Sequence, residues 1–190
     1  MEKEKILEIF KTTNALLKGH FKLSSGLHSE KYLQCALVLQ YPEHTRQLCK
    51  ELALEFKDDK PSVVVAPAVG GVVVSFGVAD ALGCRSVFTE REDGEMTLRR
   101  GFDIQQSDRV LVVEDVVTTG TSTKEVIAVV KQRGAKIVGV GSLVNRSCEK
   151  VNFGVNFKYL IKLDVETFKP DECPLCKNGI PIAKPGSRRF

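Results

Sequence analysis

The segment with the clearest chemistry combines two carboxylates with a loop rich in hydroxyl groups. An apolar β-branched run, Val110 to Val113, leads into Glu114 and Asp115, and a small polar loop and a helix pattern follow. The loop residues are Thr118, Thr119, Gly120, Thr121 and Ser122. Backbone N–H groups at the start of a helix bind phosphate, and a glycine lets the backbone close around the anion. The pattern therefore predicts a phosphate site.

The predicted ligand is a sugar phosphate rather than a nucleoside triphosphate. The Gly-x-x-x-x-Gly-Lys-Ser/Thr spacing of a triphosphate loop does not occur in the sequence. Carboxylates repel a phosphate unless they face hydroxyl groups or a cation, and ribose 5-phosphate offers a diol to Glu114 and Asp115. Four or five charge-assisted hydrogen bonds of roughly 1.5 to 3 kcal/mol each could hold the phosphate. The alternative is an ordinary strand end with a solvated acidic pair and a Thr/Gly turn.

The surrounding pattern predicts the elements that position this segment. Strands and helices alternate from Val63 onward, which indicates an α/β fold with a mostly parallel twisted sheet and helices on both faces. Ligands of such sheets bind at the carboxyl ends of the strands. We expect helices over 43–56, 71–82 and 121–132, strands over 63–66, 85–89, 110–113 and 137–143, and an exposed hairpin over 90–109.

A small helix and hairpin unit is expected before the sheet. Its opening helix includes Leu16 and Leu17 and closes at Lys18-Gly19, and strands over 21–23 and 32–39 follow. We expect one domain over 1–190, with a hood formed by about 1–40 and the C-terminal tail, and a core of about 41–165.

The composition narrows the class of protein. The chain has 190 residues, 43% of them hydrophobic, and a net charge of +4 from scattered basic residues, which does not favour nucleic acid binding. No apolar run approaches the roughly 20 residues of a membrane span, and the charged N-terminus lacks the apolar core of a signal peptide. Single cysteines at 35, 49, 84 and 148 suit reduced thiols. We expect a cytoplasmic protein without a membrane or nucleic acid partner.

The acidic pair and its loop resemble the signature of the type I phosphoribosyltransferases. That family binds 5-phosphoribosyl 1-pyrophosphate (PRPP) with magnesium, so the resemblance implies the fold of the family and Mg²⁺ as cofactor, held mainly through PRPP and near Asp115. It also implies that Glu114 and Asp115 hold the ribose hydroxyls. The rest of the segment would bind the 5-phosphate: Val116, Val117, Thr118, Thr119, Gly120, Thr121 and Ser122.

The resemblance extends to the expected pyrophosphate site. Ala68, Val69 and Gly70 stand at the pyrophosphate loop of the family, and Arg91 aligns with an arginine that contacts pyrophosphate. Arg99 and Arg100 lie in the segment of a mobile catalytic lid, although lysine and histidine are usual there, so the group that protonates pyrophosphate is not assigned. Several members have a lysine where Gly70 stands, so pyrophosphate would depend more on backbone amides here.

Three further motifs are similar to those of the orotate-specific members of the family. They are Gly-His-Phe-x-Leu-Ser-Ser-Gly-x-His-Ser from Gly19, the Asn-Arg at 145–146, and Pro-Gly-Ser-Arg from Pro185. The resemblance implies that Arg146 and Thr118 contact orotate, since a guanidinium takes a carboxylate through two hydrogen bonds. Ser25, Gly26, Tyr32 and Leu33 would form the lip of the base pocket. Many relatives have a lysine where Ser24 stands, and Lys22 or Lys31 are the candidates to replace it.

The resemblance implies a reaction and partners. Orotate and PRPP would give orotidine 5-monophosphate and pyrophosphate, in a homodimer whose lids cover each other's sites. The sequence leaves open whether an orotidylate decarboxylase is a neighbour. Two rivals stay open, namely a phosphoribosyltransferase for a purine or uracil and a PRPP-sensing regulator without catalysis.

Cys173 and Cys176 form a pair with the spacing of half a zinc site. Because no second close pair follows, two free thiols or a redox-labile pair are favoured within one chain, and zinc held across a dimer axis is the alternative. His20, His28 and His44 are interpreted as hydrogen-bonded structural histidines, with His28 the best placed for the base site.

Overall fold

The structure is a computed structural model that describes residues 1–23, 25–147 and 149–184. Ser24, Cys148 and the closing motif from Pro185, all named in the sequence interpretation, lie outside the described residues.

A six-stranded sheet forms the centre of the structure, and a separate hairpin lies near the N-terminus. The hairpin pairs β1 (Leu16–Lys22) with β2 (His28–Leu33) in antiparallel register. The strands of the central sheet are β3 (Val63–Pro67), β4 (Arg85–Glu92), β5 (Glu95–Leu98), β6 (Arg109–Val117), β7 (Lys136–Asn145) and β8 (Phe157–Lys162). Their order is β5-β4-β3-β6-β7-β8, and only the β4–β5 pair is antiparallel.

Helices cover both faces of the central sheet. They are α1 (Lys3–Thr12), α2 (Ala36–Leu39), α3 (Pro42–Leu54), α4 (Gly70–Leu82), α5 (Thr121–Gln132) and α6 (Pro174–Lys177), with a 3₁₀ turn at Lys57–Asp59. Successive residues of β3 point to opposite faces, so Val64 packs in the cluster with α3 and α4, whereas Val63 and Val65 pack in the cluster with α5. The predicted α/β class and the mostly parallel sheet are confirmed.

The three long helices of the sheet region lie where the sequence pattern predicts them. Gly83 ends α4 with φ +68°, a conformation that glycine adopts without strain. A Cβ at Gly139 of β7 would lie 2.6 Å from the Phe56 ring, so this glycine makes room for the chain at the end of α3. These contacts fix α3 against the strand that precedes Arg146.

The N-terminal unit differs from the prediction at two places. The opening helix ends at Thr12, and Leu16 and Leu17 lie in β1, since Asn14 has φ +54° and breaks the helix. The second strand ends at Leu33, and the apolar run Ala36–Leu39 is a short helix rather than a strand. Short apolar runs fit both periods, and tertiary packing decides between them.

The central sheet is larger than the prediction. β6 continues to Val117, so Glu114 and Asp115 lie inside the strand rather than after it. β4 extends to Glu92 and forms the expected hairpin with β5, whereas the chain from Arg99 to Asp108 is not part of it. β8 and α6 were not predicted. Among the described residues, no helix is both long enough and apolar enough to cross a membrane.

Candidate active site

The acidic pair lies near the carboxyl end of β6, where the strand is half-buried. The backbone N–H of Val116 donates to Asp115 Oδ1 at 2.9 Å. Burial, followed by the charge of Asp115, raises the pKa of Glu114 well above its usual value. Burial also raises the pKa of Asp115. The two carboxyls are therefore hard to ionise together without a ligand or cation beside them.

The loop between β3 and α4 touches this pair. A Cβ at Gly70 would lie 2.6 Å from Asp115 Oδ2, and one at Gly71 would lie 3.3 Å from Glu114 Oε1. Only glycine allows the start of α4 to approach the carboxylates so closely. Val69 in the same loop is 84% exposed. The predicted pyrophosphate loop, Ala68 to Gly70, thus lies beside the predicted ribose site and is open to solvent.

The loop after β6 is shaped for an anion. Gly120 precedes α5 with φ +74°, and a Cβ there would lie 2.8 Å from Val151 and 2.9 Å from Phe153. No side chain caps the N-terminus of α5 by a hydrogen bond. The hydroxyls of Thr119 and Thr121 are 2.9 Å apart at its rim. The backbone N–H groups of the first turn of α5 are therefore available to a phosphate.

Arg146 lies next to the same loop, directly after the adjacent strand β7. Its backbone N–H donates to the carbonyl of Val117 at 2.8 Å, which continues the β6–β7 pairing. The guanidinium carbon is 5.9 Å from the centre of the Tyr32 ring. Burial is the main cause of the raised pKa of Tyr32, with Arg146 lowering it and Asp115 raising it. The N-terminal hairpin and the central sheet thus bring Tyr32, Arg146 and Asp115 together.

An open cleft of about 350 Å³ lies beside Arg146. Its lining residues are Arg146, Ser147, Leu163, Asp164, Val165 and Glu166. Glu114 and Asp115 are not among these residues, so the cleft borders the site rather than containing it.

The other predicted base-site residues lie in the core and at the tip of the hairpin. The Leu33 side chain is 5% exposed and packs in the core with Ile6 and Phe10, so only its main chain could face a ligand. Ser25 and Gly26 are at the tip of the hairpin, where Gly26 has φ +84°.

The predicted lid arginines form ion pairs along the β4–β5 hairpin. Arg100 donates to both oxygens of Glu90, at 2.6 and 2.8 Å, and Arg99 pairs with Glu92 at 3.1 Å. Arg91 points to the opposite face, where it contacts Glu125 of α5 and donates to the Gly94 carbonyl at 2.8 Å. Of the three arginines, only Arg91 contacts α5, the helix that begins at the phosphate loop.

One cluster was missed by the sequence interpretation. His20 and His28 lie together with Cys173 and Cys176, although more than 140 positions separate the two pairs in the chain. The eight-residue spacing of the histidines across a predicted turn was the available signal, since it places both on one hairpin.

This fold, with glycine-containing loops at the carboxyl ends of β3 and β6, is that of a type I phosphoribosyltransferase. Residues 39–167 match the family model of the phosphoribosyl transferase domain. The chain is 55% identical over 189 residues to an orotate phosphoribosyltransferase of Caldicellulosiruptor bescii, with all of both chains covered. It is 56% identical over 189 residues to that of Caldicellulosiruptor saccharolyticus, covering 100% of this chain and 99% of the relative.

A solved structure of an orotate phosphoribosyltransferase has the same fold at lower sequence identity. The crystal structure of orotate phosphoribosyltransferase from Aeropyrum pernix superposes with a TM-score of 0.71 at 26% identity, covering 83% of this chain and 93% of that chain. The chain belongs to the orotate phosphoribosyltransferase family.

Proposed function

We propose that this protein transfers the 5-phosphoribosyl group from PRPP to orotate, giving orotidine 5-monophosphate and pyrophosphate in pyrimidine biosynthesis. The chain aligns over its full length, at 55 and 56% identity, with relatives named orotate phosphoribosyltransferase, and this similarity supports the reaction. The observation on which it most depends is the position of Asp115, which contacts the β3–α4 loop on one side and shares the surroundings of Tyr32 and Arg146 on the other.

PRPP would lie across the carboxyl ends of β3 and β6. Glu114 and Asp115 accept hydrogen bonds from the ribose hydroxyls, and the segment from Val116 to Ser122 surrounds the 5-phosphate at the N-terminus of α5. Ala68, Val69 and Gly70 offer backbone groups to pyrophosphate, and Arg91 is the cation for it on the α5 side. Positioning of this kind supplies most of the rate in group transfer.

Orotate would lie between the hairpin and β7. The Arg146 guanidinium takes its carboxylate by paired hydrogen bonds, Thr118 adds a hydroxyl, and Tyr32 packs against the base. Ser25, Gly26 and the main chain of Leu33 belong to the lip.

The reaction needs a nucleophile placed opposite the departing pyrophosphate, with inversion at the anomeric carbon. As the bond to pyrophosphate lengthens, the ribose becomes oxocarbenium-like, and the nearby carboxylates of Glu114 and Asp115 stabilise its positive charge. Arg99 and Arg100 would leave their ion pairs with Glu92 and Glu90 to cover the leaving group.

The donor set at the acidic pair fits Mg²⁺. Glu114 and Asp115 form no ion pair with any described side chain, and hard oxygen ligands suit this cation. Mg²⁺ would be held mainly by PRPP, with Asp115 as the nearest protein ligand. When bound, it neutralises charge on pyrophosphate.

The active unit proposed is a homodimer in the cytoplasm. Val69, Val73 and Phe76 follow one face of α4 at helical spacing and are 84, 43 and 69% exposed, next to the pyrophosphate loop. A second copy of the chain would cover this stripe and place its lid over the site.

An orotidylate decarboxylase is the proposed neighbour for the product. The chain is proposed to be one domain, with a hood of about 1–40 plus the tail and a core of about 41–165.

Arg146 tests the assignment of the substrate. We expect turnover of orotate with PRPP and Mg²⁺, followed by the ultraviolet absorbance of orotate. Arg146→Ala should raise the KM for orotate by roughly 10- to 150-fold, since a charge-assisted hydrogen bond contributes roughly 1.5 to 3 kcal/mol, and should leave the KM for PRPP nearly unchanged.

Arg133→Ala is the matched control, because Arg133 is an exposed arginine at the other end of α5. Turnover of uracil or a purine in place of orotate would support the first rival. Binding of PRPP without turnover of any base would support a regulator.

A further inference from the structure

Four potential zinc ligands meet where the C-terminal segment crosses the N-terminal hairpin. The ligand atoms of His20, His28, Cys173 and Cys176 all lie within 4.8 Å of one another. His20 Nε2 is 3.0 Å from His28 Nδ1, 3.6 Å from Cys173 Sγ and 3.7 Å from Cys176 Sγ. Cys176 Sγ is 3.3 Å from His28 Nδ1.

The four measured separations are close to those of a tetrahedral coordination shell. With Zn–N bonds of about 2.0–2.1 Å and Zn–S bonds of about 2.3 Å, neighbouring ligand atoms of a tetrahedral site are about 3.3–3.8 Å apart. The separations given above differ from this range by at most a few tenths of an ångström. A Cys₂His₂ set is a common structural zinc shell, and it leaves no position for a substrate or water.

The outer contacts orient the ligands inward. His20 Nδ1 is 2.7 Å from the carbonyl oxygen of Ile180, so Nδ1 carries the proton and the Nε2 lone pair faces the other three ligands. A ligating histidine is typically fixed in this way by a carbonyl or a carboxylate.

The backbone presents the two cysteines together. Cys173 is the N-cap residue of α6, and its carbonyl accepts from the Lys177 N–H at 3.2 Å. Three positions later, Cys176 lies on the same side of the turn, and its carbonyl accepts from the Gly179 N–H at 3.0 Å. Both cysteines are free thiols in the structure.

The C-terminal segment brings this turn across the hairpin. Phe168 and His28 exchange two backbone hydrogen bonds of 2.8 Å at the β2 edge. Ala183 bonds at the β1 edge, accepting from Lys22 N–H at 2.9 Å and donating to the His20 carbonyl at 2.8 Å. The segment thus passes from one edge of the hairpin to the other, with the cysteines in the middle.

Apolar burial does not explain why this segment is held in place. Between Lys162 and Lys184, Cys173 is the only buried residue. Segments without a core of their own are typically fixed by disulfides or metals. The cysteines contact two histidines as well as each other. A metal therefore explains how the C-terminal segment is fixed better than a disulfide does.

We propose that His20, His28, Cys173 and Cys176 of one chain bind a structural Zn²⁺ ion that fixes the C-terminal segment to the N-terminal hairpin. Binding displaces the two thiol protons and forms four bonds to the metal. The histidines complete the half-site that the cysteine pair alone offers, without a second chain. The ion takes no part in the proposed chemical step, and it lies at the base of the turn that bears Ser25 and Gly26.

Metal content tests the proposal directly. Protein purified without chelators from cells grown with zinc should contain about one zinc per chain by elemental mass spectrometry. After zinc removal, Co²⁺ should restore stoichiometric binding with the visible bands of tetrahedral cobalt and thiolate-to-metal charge transfer. Cys173→Ser and Cys176→Ser should each lower zinc content at least tenfold, whereas Cys84→Ser, a control thiol outside the cluster, should keep it.

Limited proteolysis gives an independent readout of the wild-type chain. Chelation should speed cleavage within 168–184 roughly tenfold, and added Zn²⁺ should reverse the effect. The proposal is overturned if wild-type protein binds neither zinc nor cobalt stoichiometrically, or if its native mass shows a Cys173–Cys176 disulfide in place of the metal. Retention of full zinc by both cysteine variants would overturn it as well.

Discussion

At the scale of single residues, the acidic pair of β6 has raised pKa values that a bound ligand should lower. Burial raises the pKa of both Glu114 and Asp115, and Glu114 also responds to the charge of its neighbour. Without a ligand, the pair therefore binds protons more tightly than ordinary carboxyls do. A diol with Mg²⁺ would favour the fully ionised pair, so binding of PRPP and release of a proton should be linked.

Because the pKa values of this pair are raised in the folded chain, the free energy of unfolding should fall as the pH rises. A carboxyl whose pKa is higher in the folded than in the unfolded chain stabilises the fold below the unfolded pKa, and that contribution is lost as the pH passes through the folded pKa. Glu114→Gln removes the second charge and keeps a donor toward Asp115. We expect thermal unfolding to show the variant more stable than wild type at pH 8, by about 1–2 kcal/mol, and nearly equal to it at pH 4.

Glu8→Gln, on the exposed face of α1, is the control and should show little change at either pH. Catalysis should fall in Glu114→Gln, since the ribose loses an acceptor. A stability difference that does not vary with pH would contradict the assignment of raised pKa values to this pair.

At the scale of elements, the site depends on how closely α4 approaches β6. The N-terminus of α4 contacts Asp115 through Gly70 and Glu114 through Gly71. Relatives with a lysine at the position of Gly70 would need another backbone path here, because any Cβ would meet the Asp115 carboxylate. In this chain the glycine is required by the contact with Asp115.

Gly70→Ala should therefore displace Asp115 or the loop. Because a shift of about 1 Å at a reacting group lowers the rate roughly 100-fold, we expect kcat/KM for PRPP to fall by roughly 10- to 100-fold, measured by initial rates at saturating orotate. Lys131→Ala, an exposed position in the last turn of α5 at the opposite end from the phosphate loop, should retain normal kinetics. Unchanged PRPP kinetics in Gly70→Ala would show that the contact has no role.

The long elements of the sheet region could be predicted from sequence because their signals agree with one another. Val63 to Val65 is β-branched and buried on both faces, and α5 has helical apolar spacing from its first turn to Gln132. The run from Leu16 to Leu39 could not be assigned as well. Its apolar residues are too few to fix a period, and β1 and β2 exist because they pair with each other and with the C-terminal segment.

The candidate site was predictable where its residues are close in sequence. The loops after β3 and β6 could be recognised from local pattern, but their contact through Gly70 and Asp115 depends on parallel pairing of the two strands. The meeting of Tyr32 with Arg146, and of His20 with Cys173, joins segments more than 100 residues apart. No local signal specifies such contacts.

At the scale of the whole molecule, the proposed base site is shared between two parts of the fold. Tyr32 comes from the hairpin and Arg146 from the central sheet, so any motion of the hairpin changes the distance between them. The C-terminal segment bonds to both edges of that hairpin. We infer that the proposed zinc ion limits this motion and thereby affects closure over orotate without touching it.

The exposed stripe on α4 predicts how two copies of the chain associate. Phe76→Glu puts a charge into this stripe and should convert the proposed dimer to a monomer in sedimentation equilibrium, because a charge buried in an apolar interface without a partner is strongly unfavourable. Leu54→Glu is the control, as Leu54 is 49% exposed at the end of α3, apart from the stripe.

If the lid of one copy covers the site of the other, two inactive variants should complement each other when mixed. Mixing Asp115→Asn with an Arg99→Ala/Arg100→Ala variant should restore about a quarter of wild-type activity, since half of the dimers are mixed and each has one complete site. A monomeric wild-type protein with full activity would contradict both the dimer and the shared lid.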